Sequence, residues 1–119
     1  MPWTLALALG PASLWAGSDY LRVMGEFRLF EAGVMPDEWK RARVPVEELD
    51  QRFGDQESWK SFRNRAREGD AFQQFVSANR PFYGCPLLFG YSLRRERTLV
   101  GYLLVEDDGR TIRAAQLVQ

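Results

Sequence analysis

Residues 87–105 read LLFGYSLRRERTLVGYLLV and hold the clearest pattern in the chain. Apolar side chains recur at every second position in both halves, and the charged tetrad RRER at 94–97 lies between them. A period of two residues is typical of a strand that buries one of its faces, and a polar interruption between two such runs is typical of a turn. The pattern therefore predicts an antiparallel hairpin over 87–105.

Further strands are predicted on both sides of this hairpin. Downstream, the Asp-Asp-Gly sequence at 107–109 is a turn signal, and residues 111–118 form a short, partly polar last strand. Upstream, residues 71–77 also favour a strand. The intervening loop over 79–86 contains two prolines, a glycine and aromatic residues, which we expect to be buried.

The middle of the chain is helical by pattern. Pro36 suits the first turn of a short helix over 37–43, and a second helix follows Pro45 and ends at Gly54. A third helix is predicted between Asp55 and Gly69. Three- and four-residue spacing of apolar residues marks the second and third helices, at Val46, Leu49 and Phe53 and at Trp59, Phe62 and Ala66.

The N-terminal part of the chain shows two more alternating runs. Residues 3–9 alternate large and small apolar side chains, and residues 21–29 place Leu21, Val23, Phe27 and Leu29 opposite polar residues. Both runs are predicted strands. The resulting order, β-β-α-α-β-β-β-β, predicts one domain over 1–119 of the α+β class, with two or three short helices on one face of a mainly antiparallel sheet.

The amino-acid composition argues against several classes of function. The 119 residues contain 16 basic and 16 acidic residues, so no strong field attracts phosphate or anionic lipid, and nucleic acid and membranes are not expected partners. There is no histidine and one cysteine, Cys85, so we expect no metal site, no cofactor and no catalytic thiol. A lone cysteine also fits a reducing cytoplasm.

Two groups of residues are candidate sites. An Arg/Tyr/Phe set in the sheet half has the composition of a small-molecule pocket or of an aromatic core: Phe72, Arg80, Tyr83, Tyr91 and Tyr102. The basic residues on the third helix and on the hairpin tip form either one anion-binding surface or a solvated one: Arg63, Arg67, Arg94, Arg95 and Arg97. The acids at 106–108 belong to a turn signal, so no catalytic residue is predicted from them.

The sequence Arg67-Glu68-Gly69-Asp70 precedes an aromatic strand, and the later strand carries Gly101-Tyr102. This pattern, over residues 67–105, resembles short uncharacterised bacterial accessory proteins of the kind encoded in mobile regions such as integron gene cassettes. The tryptophan usual in their aromatic strand is absent here. The resemblance implies a bacterial accessory role and no particular activity.

Three functional hypotheses follow, in order of preference. The first is a non-enzymatic binding protein that associates with itself, as a homodimer, or with another protein through an exposed strand or an Arg/Tyr-rich surface. The second is a small-ligand-binding domain with an aromatic pocket between helices and sheet. The third is an enzyme that uses carboxylates alone.

Overall fold

The computed structural model describes residues 11–78 and 80–118, so the strand predicted over 3–9 lies outside the described residues. The helices are α1 (Pro11–Glu31), α2 (Val46–Phe53) and α3 (Glu57–Arg63). The strands are β1 (Lys40–Val44), β2 (Ala71–Val76), β3 (Phe89–Arg95), β4 (Thr98–Val105) and β5 (Ile112–Leu117). Single 3-10 turns occur at Asp37–Trp39 and Pro81–Tyr83.

The five strands form one sheet in the order β1-β2-β3-β4-β5, and every neighbouring pair is antiparallel. The predicted α+β class is therefore confirmed, and the order of helices and strands matches the prediction from residue 46 onward. The hairpin read from 87–105 is β3 and β4, with Tyr91 opposite Leu103 and a left-handed residue, Glu96, in its turn.

The two short helices α2 and α3 pack on one face of this sheet, as predicted. Their apolar stripes are almost fully buried: Leu49 and Phe53 have no exposed surface, and Trp59 is 1% exposed. They join sheet residues in one core cluster that includes Phe72, Tyr91, Leu93, Leu103 and Val105. The third helix is shorter than predicted, because it ends at Arg63 rather than near Gly69.

The strand predicted over 21–29 is wrong, because these residues belong to helix α1. Val23, Phe27 and Phe30 recur at spacings of four and three and are all buried, whereas Leu21 is 70% exposed and Leu29 is 47% exposed. Alternating and helical spacing both predict burial of Val23 and Phe27, whereas the burial of Phe30 and the exposure of Leu21 and Leu29 fit the helix alone. Helix α1 covers the sheet face opposite α2 and α3.

Small residues lie in the centre of β3 on the side of the sheet that α1 covers. Gly90 and Ser92 face the α1 side, and Ser92 has no exposed surface. An added Cβ at Gly90 would collide with the backbone carbonyl oxygen of Leu103. The ring of Phe30 packs over this region, with its centroid 4.6 Å from that of Tyr102 and 5.8 Å from that of Phe75.

The helix predicted over 37–43 is also wrong beyond its first turn. Asp37–Trp39 is a 3-10 turn, but Lys40–Val44 is strand β1, with Val44 paired to Phe72. A residue that precedes proline is disfavoured in helical conformation, so Pro45 favours extended backbone at Val44. Pairing with β2 then supplies the hydrogen bonds that a helix would have made.

The loop over 79–86 is less buried than predicted. Cys85 is buried and Tyr83 is partly buried, but the side chain of Phe82 is 98% exposed. Arg80 and Cys85 form an isolated bridge, which closes the loop and leaves Phe82 at its tip.

Candidate functional site

The structure does not bring the predicted aromatic set together in one pocket. Phe72 and Tyr91 are core residues beneath α2 and α3, at 5% and 2% exposure. Tyr102 lies on the opposite face, against Phe30. The other two members, Arg80 and Tyr83, lie in the loop that contacts α1.

Tyr91 is held at its hydroxyl end by Arg52 of α2. The Arg52 Nη1 donates to the Tyr91 hydroxyl at 2.6 Å, and the Tyr91 ring meets Phe53 edge-on at 5.7 Å. Burial raises the pKa of Tyr91 above its ordinary value. The hydroxyl therefore anchors a core ring and is enclosed by the protein.

Arg80 and Tyr83 converge on Asp19 of α1. The Tyr83 hydroxyl donates to Asp19 Oδ2 at 2.8 Å and Arg80 Nε donates to the same oxygen at 3.2 Å, while Arg22 binds Oδ1 at 2.8 Å. Hydrogen bonds from Arg22, Tyr83 and Arg80 lower the pKa of Asp19 from 3.8 to about 2. We call these four residues the Asp19 clamp, which ties α1 to the 80–85 loop.

A second acid of α1, Glu26, is buried although the alternating pattern placed it on a polar face. It is 7% exposed and accepts hydrogen bonds from Trp39 Nε1 and Arg22 Nη1, both at 3.2 Å. Its helical spacing from Arg22 is the signal by which sequence could have found the ion pair. The hydrogen bond from Trp39 to Glu26 connects α1 to the Asp37–Trp39 turn.

The predicted arginine surface divides between the two faces of the sheet. Arg63 and Arg67 line a cleft beside β1 on the α3 side, and Arg95 pairs with Asp70 of the same cleft. Arg94 donates to Gln73 and, with Arg97, lines a separate depression on the α1 side. Arg43, which the sequence analysis did not select, also borders this cleft, but it pairs with Gln73, so its side chain leaves β1 on the face opposite Val44 and Phe72.

The acids at 106–108 act within their turn. Asp108 Oδ1 accepts the backbone N–H groups of Arg110 and Thr111 at 2.8 and 2.9 Å, and Oδ2 accepts the Thr111 hydroxyl at 2.6 Å. These bonds lower the pKa of Asp108 to about 2. Across residues 11–78 and 80–118, no three His, Cys, Asp or Glu side chains are grouped so that they could hold a metal ion.

Strand β5 forms one outer edge of the sheet. Val118 N–H donates to Val100 O, and since alternate residues direct their backbone groups to the same side, Ala115 and Leu117 point theirs away from β4. The side-chain amide of Gln56 bonds Arg110 O and Ile112 N–H at the start of this edge. Beyond Ile112, no other strand of the described chain pairs with the edge.

A groove of about 400 Å³ runs between this edge and α3. Its floor is Phe62, and Leu117 at its rim is 37% exposed. The remaining lining residues are small or polar: Ser58, Ser61, Arg65 and Ala115.

Comparisons with protein-family models, with curated proteins and with solved structures found no match. The resemblance to bacterial accessory proteins therefore stays a prediction. No helix within the described ranges is both long and apolar enough to cross a membrane.

Proposed function

We propose that this protein is a non-enzymatic binding protein that forms a homodimer by antiparallel pairing of two β5 strands. The observation that carries the proposal is the outer edge of β5, where Ala115 and Leu117 direct their backbone groups outward beside an open groove and no strand of the described chain pairs with them. The Leu117 carbonyl oxygen accepts only a hydrogen bond from the neighbouring Gln116 side chain, at 3.3 Å. The cytoplasm and a bacterial accessory role, suggested by the lone Cys85 and by the resemblance over 67–105, belong to the same proposal.

The two edges of the sheet differ in a way that favours β5. Strand β1 carries Lys40, Arg41 and Arg43 and an irregular register against β2, so self-pairing there would bring like charges together. Strand β5 carries one charge, Arg113, followed by Ala114, Ala115, Gln116 and Leu117. Neutral, small side chains allow a second strand to approach closely.

The pairing we propose places Gln116 on the two-fold axis, so that Ala115 of each copy lies opposite Leu117 of the other. Ala115 and Leu117 lie on the α3 side of the sheet, because their partners Leu103 and Gly101 do. Each Leu117 then enters the groove floored by Phe62 in the other copy. Leu117 is 37% exposed in the monomer, so completing its burial contributes about a third of the roughly 1.5–3 kcal/mol of a fully exposed leucine, and this is gained twice.

Multi-angle light scattering at low and high protein concentration tests the dimer. We expect a mass of twice the 13.7 kDa chain at high concentration, with dissociation on dilution because a strand-edge interface is small. Leu117→Lys introduces a charge into each groove and should give a monomer with an unchanged circular dichroism spectrum. Leu21→Lys, at an exposed leucine of α1, is the matched control and should remain dimeric.

A strictly monomeric wild-type protein at every concentration contradicts the proposal. Equal dissociation of the Leu21→Lys control would show that general surface charge, and not the β5 edge, governs association.

A further inference from the structure

The depression on the α1 side of the sheet, beside the β3–β4 hairpin, has the size of a small-molecule site. Its volume is about 310 Å³, at the lower end of the roughly 300–1,000 Å³ of ligand pockets. The segment after α1, the start of β1 and the hairpin form its wall. Its charged lining residues are Asp37, Lys40, Arg94 and Arg97, and we call it the hairpin depression.

Strand register places two of the basic side chains on the α1 face. Residues opposite each other in neighbouring antiparallel strands lie on the same face of the sheet. Lys40 is opposite Phe75, and Arg94 is opposite Leu99; Phe75 and Leu99 both belong to the core cluster beneath α1. The Arg94 Nη1 donates to Gln73 Oε1 at 2.9 Å, which holds the arginine over this face.

The hairpin depression carries more positive than negative charge. Asp37 is the one acid of its lining, and the side chain of Asp37 is 90% exposed. Lys40 Nζ donates to Asp37 Oδ1 at 2.7 Å. This hydrogen bond and the positive charges of Lys40 and Arg94 hold the pKa of Asp37 below its ordinary value. Three basic residues against one acid leave an excess of two positive charges.

Hydrogen-bond donors remain for a ligand in this depression. A guanidinium and an ammonium each carry several N–H donors. Arg94 uses one donor on Gln73 and Lys40 uses one on Asp37, so each retains others. The Arg97 guanidinium makes no hydrogen bond or ion pair with any residue that the structure describes, and its side chain is exposed.

The excess charge matches a phosphate monoester better than a carboxylate. A phosphate monoester carries about two negative charges near neutral pH and presents several strong acceptor oxygens, whereas a carboxylate carries one charge. We propose that the hairpin depression binds a small phosphate monoester through Lys40, Arg94 and Arg97. The phosphate meets the three basic side chains, and the ester group lies against Val34, which is 49% exposed.

The composition of the lining favours a small molecule over a nucleic-acid strand. Among the described residues, no aromatic side chain lines the depression, so it offers no ring on which bases could stack. The site is independent of the proposed dimer, because none of its lining residues belongs to β5.

Titration calorimetry with four probes tests the ligand class. Phenyl phosphate carries a phosphate and a ring, benzoate carries the ring with one charge, inorganic phosphate lacks the ester group, and benzyl alcohol lacks the charge. We expect one phenyl phosphate site per chain, with binding roughly tenfold or more weaker for benzoate and benzyl alcohol. Inorganic phosphate should bind several-fold more weakly than phenyl phosphate, because it lacks the contact with Val34.

Charge variants test the residues. Arg97→Gln should weaken phenyl phosphate binding roughly tenfold, because it removes a charged hydrogen-bond donor. Asp37→Asn should tighten binding by roughly two- to fivefold, because it removes the one negative charge of the lining. Arg113→Gln, at an exposed arginine of β5, loses the same charge as Arg97→Gln outside the depression and should bind as the wild type does. Circular dichroism spectra of the variants check that they are folded.

Five results would overturn the proposal. Two of them, the absence of saturable phenyl phosphate binding and benzoate binding as tightly as phenyl phosphate, exclude a phosphate ligand. Inorganic phosphate binding as tightly as phenyl phosphate excludes a role for the ester group. Undiminished binding by an Arg94→Gln/Arg97→Gln double variant, and an equal loss in the Arg113→Gln control, exclude the assigned residues.

Discussion

Replacement of Phe30 by alanine tests whether α1 is a helix that covers the second face of the sheet. Phe30 is 7% exposed, and its ring centroid lies 5.2 Å from Trp39, 5.8 Å from Phe75 and 4.6 Å from Tyr102. Truncation of a buried phenylalanine costs roughly 3–5 kcal/mol, through lost apolar burial and the cavity that remains. We therefore expect Phe30→Ala to lower the free energy of unfolding by that amount.

Leu29→Ala is the matched control, because the two conformations of this segment predict opposite results. In the helix, Leu29 is 47% exposed, and its removal should cost about 1 kcal/mol or less. In an alternating strand, Leu29 would face the core and Phe30 would face solvent. The ranking of the two variants therefore distinguishes the two conformations.

Urea denaturation followed by tryptophan fluorescence measures both variants, since Trp39 lies directly against Phe30. A typical domain has only about 5–15 kcal/mol of stability, so Phe30→Ala could prevent folding. Phe30→Leu keeps most of the volume, loses the aromatic contacts, and should cost about 1 kcal/mol. A Leu29→Ala variant less stable than Phe30→Ala would refute the placement of α1.

Two further predictions concern stability. Gly90→Ala should lower the free energy of unfolding by more than about 1 kcal/mol, because the new methyl group meets the Leu103 carbonyl oxygen; a chemical denaturation curve that overlays the wild type would contradict this packing. Asp19 has a folded-state pKa of about 2, below its ordinary 3.8, so its contribution to stability is complete above pH 3.8 and is lost as the pH falls toward 2. Asp19→Asn should therefore melt at a lower temperature than the wild type near neutral pH, and this difference should shrink over that acidic range; a gap that stays constant there would argue against the Asp19 clamp.

The elements that sequence predicted well are those with strong local signals. The hairpin of β3 and β4 has alternation over both strands and a charged turn, and α2 has apolar spacing between Pro45 and Gly54. The strand prediction over 21–29, now part of α1, was wrong because some of its apolar residues fit both the two-residue period of a strand and the 3.6-residue period of a helix. Strand β1 was not predicted, because its sequence, KRARV, has little apolar alternation. Its extended form depends on hydrogen bonds to β2.

For the candidate sites too, sequence found residues related by local spacing and missed those that the fold brings together. Sequence selected Arg63 and Arg67 because they share one helical face, and the structure places both at one cleft. It did not select Arg43, which is 20 or more residues away along the chain. The aromatic set was separated because Phe72 and Tyr91 face one side of the sheet and Tyr102 faces the other.

By itself, the sequence determined the α+β class, the helices and strands from residue 46 onward and the lack of histidine chemistry, since these depend on composition and on neighbours a few residues apart. Only the tertiary structure decided that α1 covers the second face, that Lys40–Val44 is a strand and that Arg63 and Arg67 line one cleft while Arg94 and Arg97 line another. The physical reason is that burial and strand pairing join residues that are distant in the chain. No local pattern reports the free energy of those distant contacts.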